Sequence, residues 1–415
     1  MSAPTSTDWV PEVFAPWPHT PDALLARVAA RSPSFDPTGA SGGAPVLIGS
    51  AAGNAAADVQ RRARGELMER MGNVLAGREI EAEADSARAR PRSAGGVRVR
   101  VGTWSELCRD GVNAADPADP ATGPTTQAHN QTPAREVRQL WYRGRTTKSG
   151  KDIWVPAGAA FLHHRPPPGC TATHRAGSTG VAAHHGPDAA AAHAAWEILE
   201  RDLIRRSWHE PHRHPPTAFD ARSALPPGAG ELRNLLNRQG LQATALALPS
   251  PPGATAVAVC VHEPGRTHQT FGARCGPAHD LAETVTRACW EALMIRWSMT
   301  APVAHRAWDR LARTIVPRTG LDHALWTFHV QDSLTRWAGP TTALRSPPAL
   351  SPRPAREIAD PVALLAAHTG REVIAVDHCA GPPANEGLAV VRLIAPGTAP
   401  LPAHPVPGVP PHPFG

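Results

Sequence analysis

A mixed α/β (α+β) fold is predicted by two features of this 415-residue chain: three long runs with helical spacing, and apolar strand-like stretches between them. A hydrophobic fraction of 41% is enough to build a sizeable core, and 46 prolines with 35 glycines imply many connecting loops. Neither a helical bundle nor an all-β sandwich fits that alternation.

In chain order, "APVLIGSAAG" reads as a strand running into a Gly turn. A helix is expected from Asn54, a good N-cap, to Ala76, with Gly77 as its stop. "GGVRVRVGTW" alternates like a strand, whereas residues 110–136 have no periodicity and many breakers, predicting a long surface loop. "RQLWYRGRTTKSGKDIWVPAGAAFLHH" reads as two strands around a turn at Lys148 to Lys151, followed by a third segment. A Gly turn then leads into a second helix from about Pro187 to Trp208, where Pro and Asp suit the first turn. "LQATALALPSPPGATAVAVCVHEPG" predicts a strand pair, and "HQTFGARCGPAHDLAETVTRACWEALMIRWSM" a strand, a Gly turn and the third helix. "REVIAVDHC" and "LAVVRLIAPG" predict the last strands before a Pro-rich tail.

Composition excludes several classes. The formal charge of +6 is carried almost wholly by arginine, Lys148 and Lys151 being the only lysines, and no basic run is interleaved with aromatics as a nucleic-acid groove requires. The six cysteines are scattered without a Cys-x-x-Cys spacing, so neither a zinc site nor a disulfide framework is signalled. No run approaches the ~20 apolar residues of a membrane span, and no signal peptide opens the chain, which predicts a cytoplasmic protein. "GRTTKSGKD" fails as a P-loop, because five residues separate Gly144 from Gly150 and Asp152 stands where a hydroxyl residue is needed. The histidines of "HEPHRHP" (His209, His212, His214) lack helical ligand spacing and read as a solvated loop.

Two short motifs stand out, "GELMER" (Gly65 to Arg70) and "WEILER" (Trp196 to Arg201). At 3.6 residues per turn, Glu66, Glu69 and Arg70 share one helix face, as do Glu197, Glu200 and Arg201. One such motif is ordinary surface charge. Two, each after a strand and Gly turn and each flanked by apolar residues, suggest facing acidic walls that need cations between them. Hard oxygen ligands select Mg2+ alongside nucleotide phosphates, and arginines beside them grip phosphate oxygens bidentately.

At this point the chain resembles the YcaO superfamily, whose ATP site is built from Glu-x-x-Glu-Arg helices without a P-loop. The likeness runs through "GELMER", "LWYRGRTTKSGKDIWVPAGAAFLHH", "STGVAAHHGPDAAAAHAAWEILERDLIRRSW", "FGARC…ACWEALMIR" and "VVRLIAPG…PHPFG", in the family's order. It implies residues 1–44 as an N-terminal extension and 45–415 as the catalytic domain, carrying the loop 110–136 and a Pro-rich tail, 396–415. It further implies that Glu66, Glu69, Glu197 and Glu200 hold Mg2+ bridging the phosphates of ATP. Arg70, Arg201, Ser178 and Thr179 would attend the nucleotide, with Glu291 and Arg296 as further members. The tail residues Pro411, Pro413 and Gly415 would reach the catalytic centre. The chain departs from the family pattern at Ala52, where a lysine is expected, at Arg62, where a small residue is expected, and at Thr179, where asparagine is expected.

The implied activity is ATP-driven activation of peptide backbone amides in the maturation of a ribosomally synthesised peptide, with cyclodehydration of Cys, Ser or Thr to an azoline leading. Thioamide or amidine formation, and a non-catalytic homologue that supports a partner enzyme, are the alternatives. The implied partners are a precursor peptide, a separate leader-peptide-binding protein and a second copy in a homodimer.

Overall fold

The structure, a computed structural model, describes residues 9–37, 45–89, 98–122, 133–311, 317, 319–330, 332–339, 346–347, 360–402 and 410–414. It is a mixed α/β fold whose sheets are all antiparallel. Strands β1 (Glu12–Phe14), β2 (Leu24–Arg31) and β3 (Val46–Gly53) form a first sheet in that order, leaving β3 at its edge. The expected boundary at residue 45 therefore falls between two paired strands, and residues 12–31 belong to the same sheet as the first predicted strand.

Helix α1 (Ala56–Ala89) lies directly on β3. The approach is so close that a Cβ on Gly49 would sit 2.0 Å from the Ala63 carbonyl oxygen. The helix begins with the carbonyl of Ala55 accepting from Asp58 and Val59, one residue past the expected cap at Asn54. It also runs 13 residues beyond the expected end, because Gly77 is a packing contact and not a stop: its hydrogen faces Phe161, whose Cβ would lie 3.0 Å from a side chain there.

A second sheet is laid out as β4 (Val99–Gly102), β5 (Gln139–Thr146), β12 (Ile374–Asp377), β13 (Ala389–Ile394) and β7 (Val181–His184), with β6 (Asp152–Pro156) paired to β5. The short helices α2 (Trp104–Arg109) and α3 (Ala157–Ala160) flank it. Of the expected loop, 110–122 is pinned: the Ala115 N–H donates to the Trp154 carbonyl at 2.8 Å, and Asp119 accepts from Gly397. Residues 123–132 lie outside the described residues.

From β7 the chain enters α4 (Pro187–His209), which matches its expected start and passes its expected end by one residue. The third sheet follows: β8 (Thr217–Asp220), α5 (Ala221–Ala224), α6 (Gly230–Arg238), β9 (Gln242–Leu248), β10 (Ala254–His262) and β11 (Thr270–Pro277), closed by α7 (Leu281–Met299). There α7 approaches β11 at Gly272 as α1 approaches β3 at Gly49: a Cβ on Gly272 would meet the Ala288 carbonyl oxygen at 2.3 Å. Helices α8 (Pro302–Leu311), α9 (Gly320–Val330), α10 (Ser333–Ala338), α11 (Pro361–Thr369) and α12 (Pro382–Asn385) fill the remaining third. The two bare glycine contacts bring α1 and α7 down onto their sheets, and α4 packs against both β7 and β11. None of the six cysteines, all among the described residues, is in a disulfide, and no helix among the described residues is long and apolar enough to cross a membrane.

Candidate active site

Four glutamates on the three long helices are each held by one backbone N–H from a neighbouring strand or turn. Glu66 Oε2 accepts from Ser50 at 2.7 Å, Glu197 Oε2 from Gly180 at 3.0 Å, Glu200 Oε2 from Cys275 at 3.1 Å, and Glu291 Oε2 from Ala273 at 3.0 Å. Such bonds fix a carboxylate's direction while leaving its other oxygen for a second partner. Gly180 can supply its N–H only as glycine: its φ is +82°, and a Cβ would meet the Leu393 carbonyl oxygen at 2.9 Å.

The carboxylates face one another across α1, α4 and α7. Burial pushes the Glu69 carboxyl well above the usual range, and the neighbouring charges of Glu197 and Glu66 push it further. Glu69 keeps some surface open to solvent, so the enclosure is a cleft and not a sealed core. Glu197 is raised by burial and by Glu200, against the opposing pull of Arg201, the Gly180 N–H and Arg392. Glu291 is pushed up to about 7 by burial and Glu200, with Arg201 pulling it down. Arg201 is held strongly protonated: burial disfavours its charge, but Glu200, Glu291 and Glu197 together outweigh that. Five carboxyl groups thus share a cleft with Arg70, Arg201 and Arg392, an excess of negative charge that a cation would relieve.

The predicted residues divide as follows. Glu66, Glu69, Glu197, Glu200, Glu291 and Arg201 come together. Arg70 joins them through an ion pair to Glu66 while its Nη1 donates to the Ile48 carbonyl at 2.6 Å. Ser178 and Thr179 form the turn ahead of Gly180, where the Ser178 carbonyl accepts from Val181. Arg296 is not brought in: it pairs with Glu263, donates to the His268 carbonyl and lies over the Phe328 ring, because five residues along a helix turn it to another face than Glu291. Of the tail, Pro411 is half-buried, Pro413 is buried and Gly415 lies outside the described residues. Between them and Gly415, Phe414 is buried with its ring centroid 5.8 Å from the Arg201 guanidinium carbon.

Arg392 was not selected from the sequence. It sits mid-strand on β13, 6% exposed, donating to the Gly177 carbonyl at 2.7 Å, with its Nε lacking a partner among the described residues. Burial lowers its pKa to about 10 despite Glu197 and Glu69. The signal was a lone arginine inside "LAVVRLIAPG", a charge that an otherwise apolar strand does not bury without carboxylates to face. Arg62 lies beside the same strand as the departure at Ala52: it pairs with Asp58, and its Nη2 donates to the Ala52 carbonyl at 2.6 Å.

Among the described residues no three His, Cys, Asp or Glu side chains converge as a ready-made metal cage. That does not suit a dedicated all-protein site. It does suit Mg2+, which keeps several waters and is usually bound through one or two carboxylates plus substrate phosphates. The all-oxygen donors and the uncompensated charge fit that ion.

The family profile described as YcaO cyclodehydratase, ATP- and Mg2+-binding, matches residues 49–399. The chain belongs to the YcaO family. Among solved structures it is similar to a heterocyclase in complex with substrate and cofactor (TM-score 0.63, 19% identity, 94% of this chain and 50% of that one). It is also similar to YcaO from Methanopyrus kandleri bound with AMPPCP and Mg2+ (TM-score 0.55, 18% identity, 93% and 85%), and to a chain of the E. coli microcin synthetase McbBCD complex (TM-score 0.57, 13% identity, 95% and 90%). At these identities the likeness is one of fold, and the chain spans half the length of the heterocyclase. No curated protein matches it in sequence.

Proposed function

We propose that this chain is an ATP- and Mg2+-dependent enzyme that activates backbone amides of a peptide, with ring closure of a Cys, Ser or Thr onto the preceding carbonyl to give an azoline. The observation that carries this reading is the set of backbone-anchored carboxylates Glu66, Glu197, Glu200 and Glu291, gathered with Glu69 and facing Arg201 and Arg392, on helices the YcaO profile covers. Glu66, Glu69, Glu197 and Glu200 would hold Mg2+, which when bound would supply neutralising charge to the phosphates. Arg201, kept protonated by three glutamates, and Arg392 supply fixed positive charge to phosphate oxygens. Phe414 of the tail, buried beside Arg201, supports a tail that reaches the site.

In this reading the side-chain nucleophile of the peptide attacks the neighbouring carbonyl carbon and loses its proton, the carbonyl oxygen takes the γ-phosphoryl group of ATP with release of ADP, and phosphate then leaves with that oxygen as the amide nitrogen gives up its proton and forms the C=N bond. Phosphoryl transfer of this kind depends mainly on positioning and charge neutralisation, which suits a site made of anchored charges. The heterocyclase solved with substrate and the multi-subunit microcin synthetase support a peptide substrate and a separate protein partner here.

Reaction of the purified protein with ATP, Mg2+ and the precursor peptide encoded beside its gene, followed by phosphate assay and mass spectrometry, tests the proposal. Loss of one water from the peptide is expected. Exchange of oxygen for sulfur would assign thioamide formation instead, and nucleotide binding without turnover would favour a supporting homologue, a reading that Ala52, Arg62 and Thr179 motivate.

A further inference from the structure

Strand β3 is the edge of its sheet, and α1 covers part of that edge with side chains four residues apart: Arg62 donates to the Ala52 carbonyl, Glu66 accepts from the Ser50 N–H, and Arg70 donates to the Ile48 carbonyl. Four residues of helix rise about 6 Å and two of strand about 6.8 Å, so the two periods match over this stretch. These bonds take up the outward-facing Ala52 carbonyl, Ser50 N–H and Ile48 carbonyl, so over this stretch α1 caps the edge against a further strand.

On the other side of β3 from α1 lies an open-mouthed cavity of about 190 Å³ lined by Ser50, Met294, Ile295, Met299, Leu321 and Ala324. It is too small for a nucleotide, since pockets that enclose whole small molecules run to roughly 300–1,000 Å³. Its lining is mostly apolar, and exposed hydrophobics stand nearby: Ile48 is 37% and Leu321 46% exposed. Ser50 belongs to both features. Its residue lines the cavity and its N–H holds Glu66, and Met294 and Ile295 stand one helical turn beyond Glu291 on α7, so the cavity adjoins the candidate active site.

We propose that this cavity receives one apolar side chain of the peptide substrate, held as an extended segment beside the acidic cleft. The inference rests on the peptide-modifying reading above. A pocket for one side chain is how extended peptides are told apart elsewhere. The preference would be for Leu, Ile, Met or Phe a few residues from the modified position, with acidic residues rejected because the cavity offers a carboxylate no cation.

The chain has five methionines, and two of them, Met294 and Met299, line the cavity, while Met68 and Met71 are buried on α1. Methyl-labelled methionine NMR of the full chain therefore reads the cavity directly. The probes are the synthetic peptides Ac-Gly-Leu-Gly-Cys-Gly-amide and its Asp-for-Leu counterpart. Saturable shifts of the Met294 and Met299 methyls with the Leu peptide, at least tenfold weaker with the Asp peptide, are expected. Leu321→Asp at the mouth and Ala324→Phe within it should each weaken the Leu peptide at least tenfold. Unmoved Met294 and Met299 signals, equal response to both peptides, or unaltered binding by both variants would overturn the proposal. AMPPCP binding with Mg2+, measured on the same samples, separates the two readings: its failure sinks the nucleotide assignment, whereas intact nucleotide binding with silent methyls sinks the cavity alone.

Discussion

The backbone N–H of Gly180 donates to Glu197 at 3.0 Å from a conformation with φ +82°, so the direction of one carboxylate depends on a residue without a side chain. In Gly180→Ala the added Cβ would crowd Ile198 Cδ1 at 2.8 Å and the Leu393 carbonyl oxygen at 2.9 Å. We expect a loss of about 1–3 kcal/mol of stability, from strain in the left-handed region, and a larger proportional loss of nucleotide affinity. Urea unfolding and AMPPCP titration of the same variant check both.

Arg392 faces Glu69 and Glu197 from inside β13 and has no solvent to replace it. Arg392→Met should cost about 3–5 kcal/mol, as expected when one partner of a buried charged group is removed. Arg392→Lys, which keeps the charge but not the guanidinium bond to the Gly177 carbonyl, should recover part of the loss. Equal stability of the Met variant and the parent would remove Arg392 from the charged group.

Proton release should accompany binding. Burial raises Glu69, Glu197 and Glu291, the last to about 7, so near neutral pH part of the cleft is protonated before a metal arrives. A cation expels those protons. Calorimetry of Mg2+·AMPPCP binding at pH 7 in two buffers of different ionisation enthalpy should show net release. A raised folded pKa contributes stability that is complete below the unfolded value near 4.5 and is lost as pH rises through the folded value. For Glu291 that is worth about 3 kcal/mol by pH 7 and above. Mg2+·AMPPCP should therefore raise Tm more at pH 8 than at pH 5.5.

The tail carries the opposite sign. His412 stacks on His323 with ring centroids 4.0 Å apart, and burial pushes His412 down to about 3, with His323, Arg201 and His209 adding to the penalty. A folded value below the unfolded one of about 6.5 means that docking is fully supported above pH 6.5 and weakens as pH falls toward 3. Because Phe414 packs against Trp337 at 6.0 Å, tryptophan fluorescence should report release on acidification. His412→Asn should flatten that profile.

Much of the fold was legible because its strongest signals are local. Helix α4 starts where Pro187 and Asp188 favour a first turn, and the acidic repeat by itself points to facing walls. Where reading failed, tertiary contacts had overridden local preference. "LLARVAAR" is rich in helix formers yet is strand β2, because it pairs along its whole length with β3. Gly77 looked like a stop and is a contact with Phe161. Arg296 shares a helix with Glu291 but is turned away to Glu263, and Arg392 was hidden in an apolar strand whose charge makes sense only beside carboxylates from two other elements. Strand β7 is only four residues long, too short for a pattern, whereas the apolar spacing of α8 at Ala304, Ala307 and Leu311 was legible and was passed over.

The central claim is that the carboxylates of α1 and α4 hold Mg2+·ATP. Titration of AMPPCP by calorimetry, with and without Mg2+, into the parent protein and into Glu69→Gln and Glu200→Gln, tests it most directly. The account predicts Mg2+-dependent binding that falls at least a hundredfold in either variant, each of which keeps the side-chain shape and loses the charge. Binding that is independent of Mg2+, or equal in all three proteins, would contradict it.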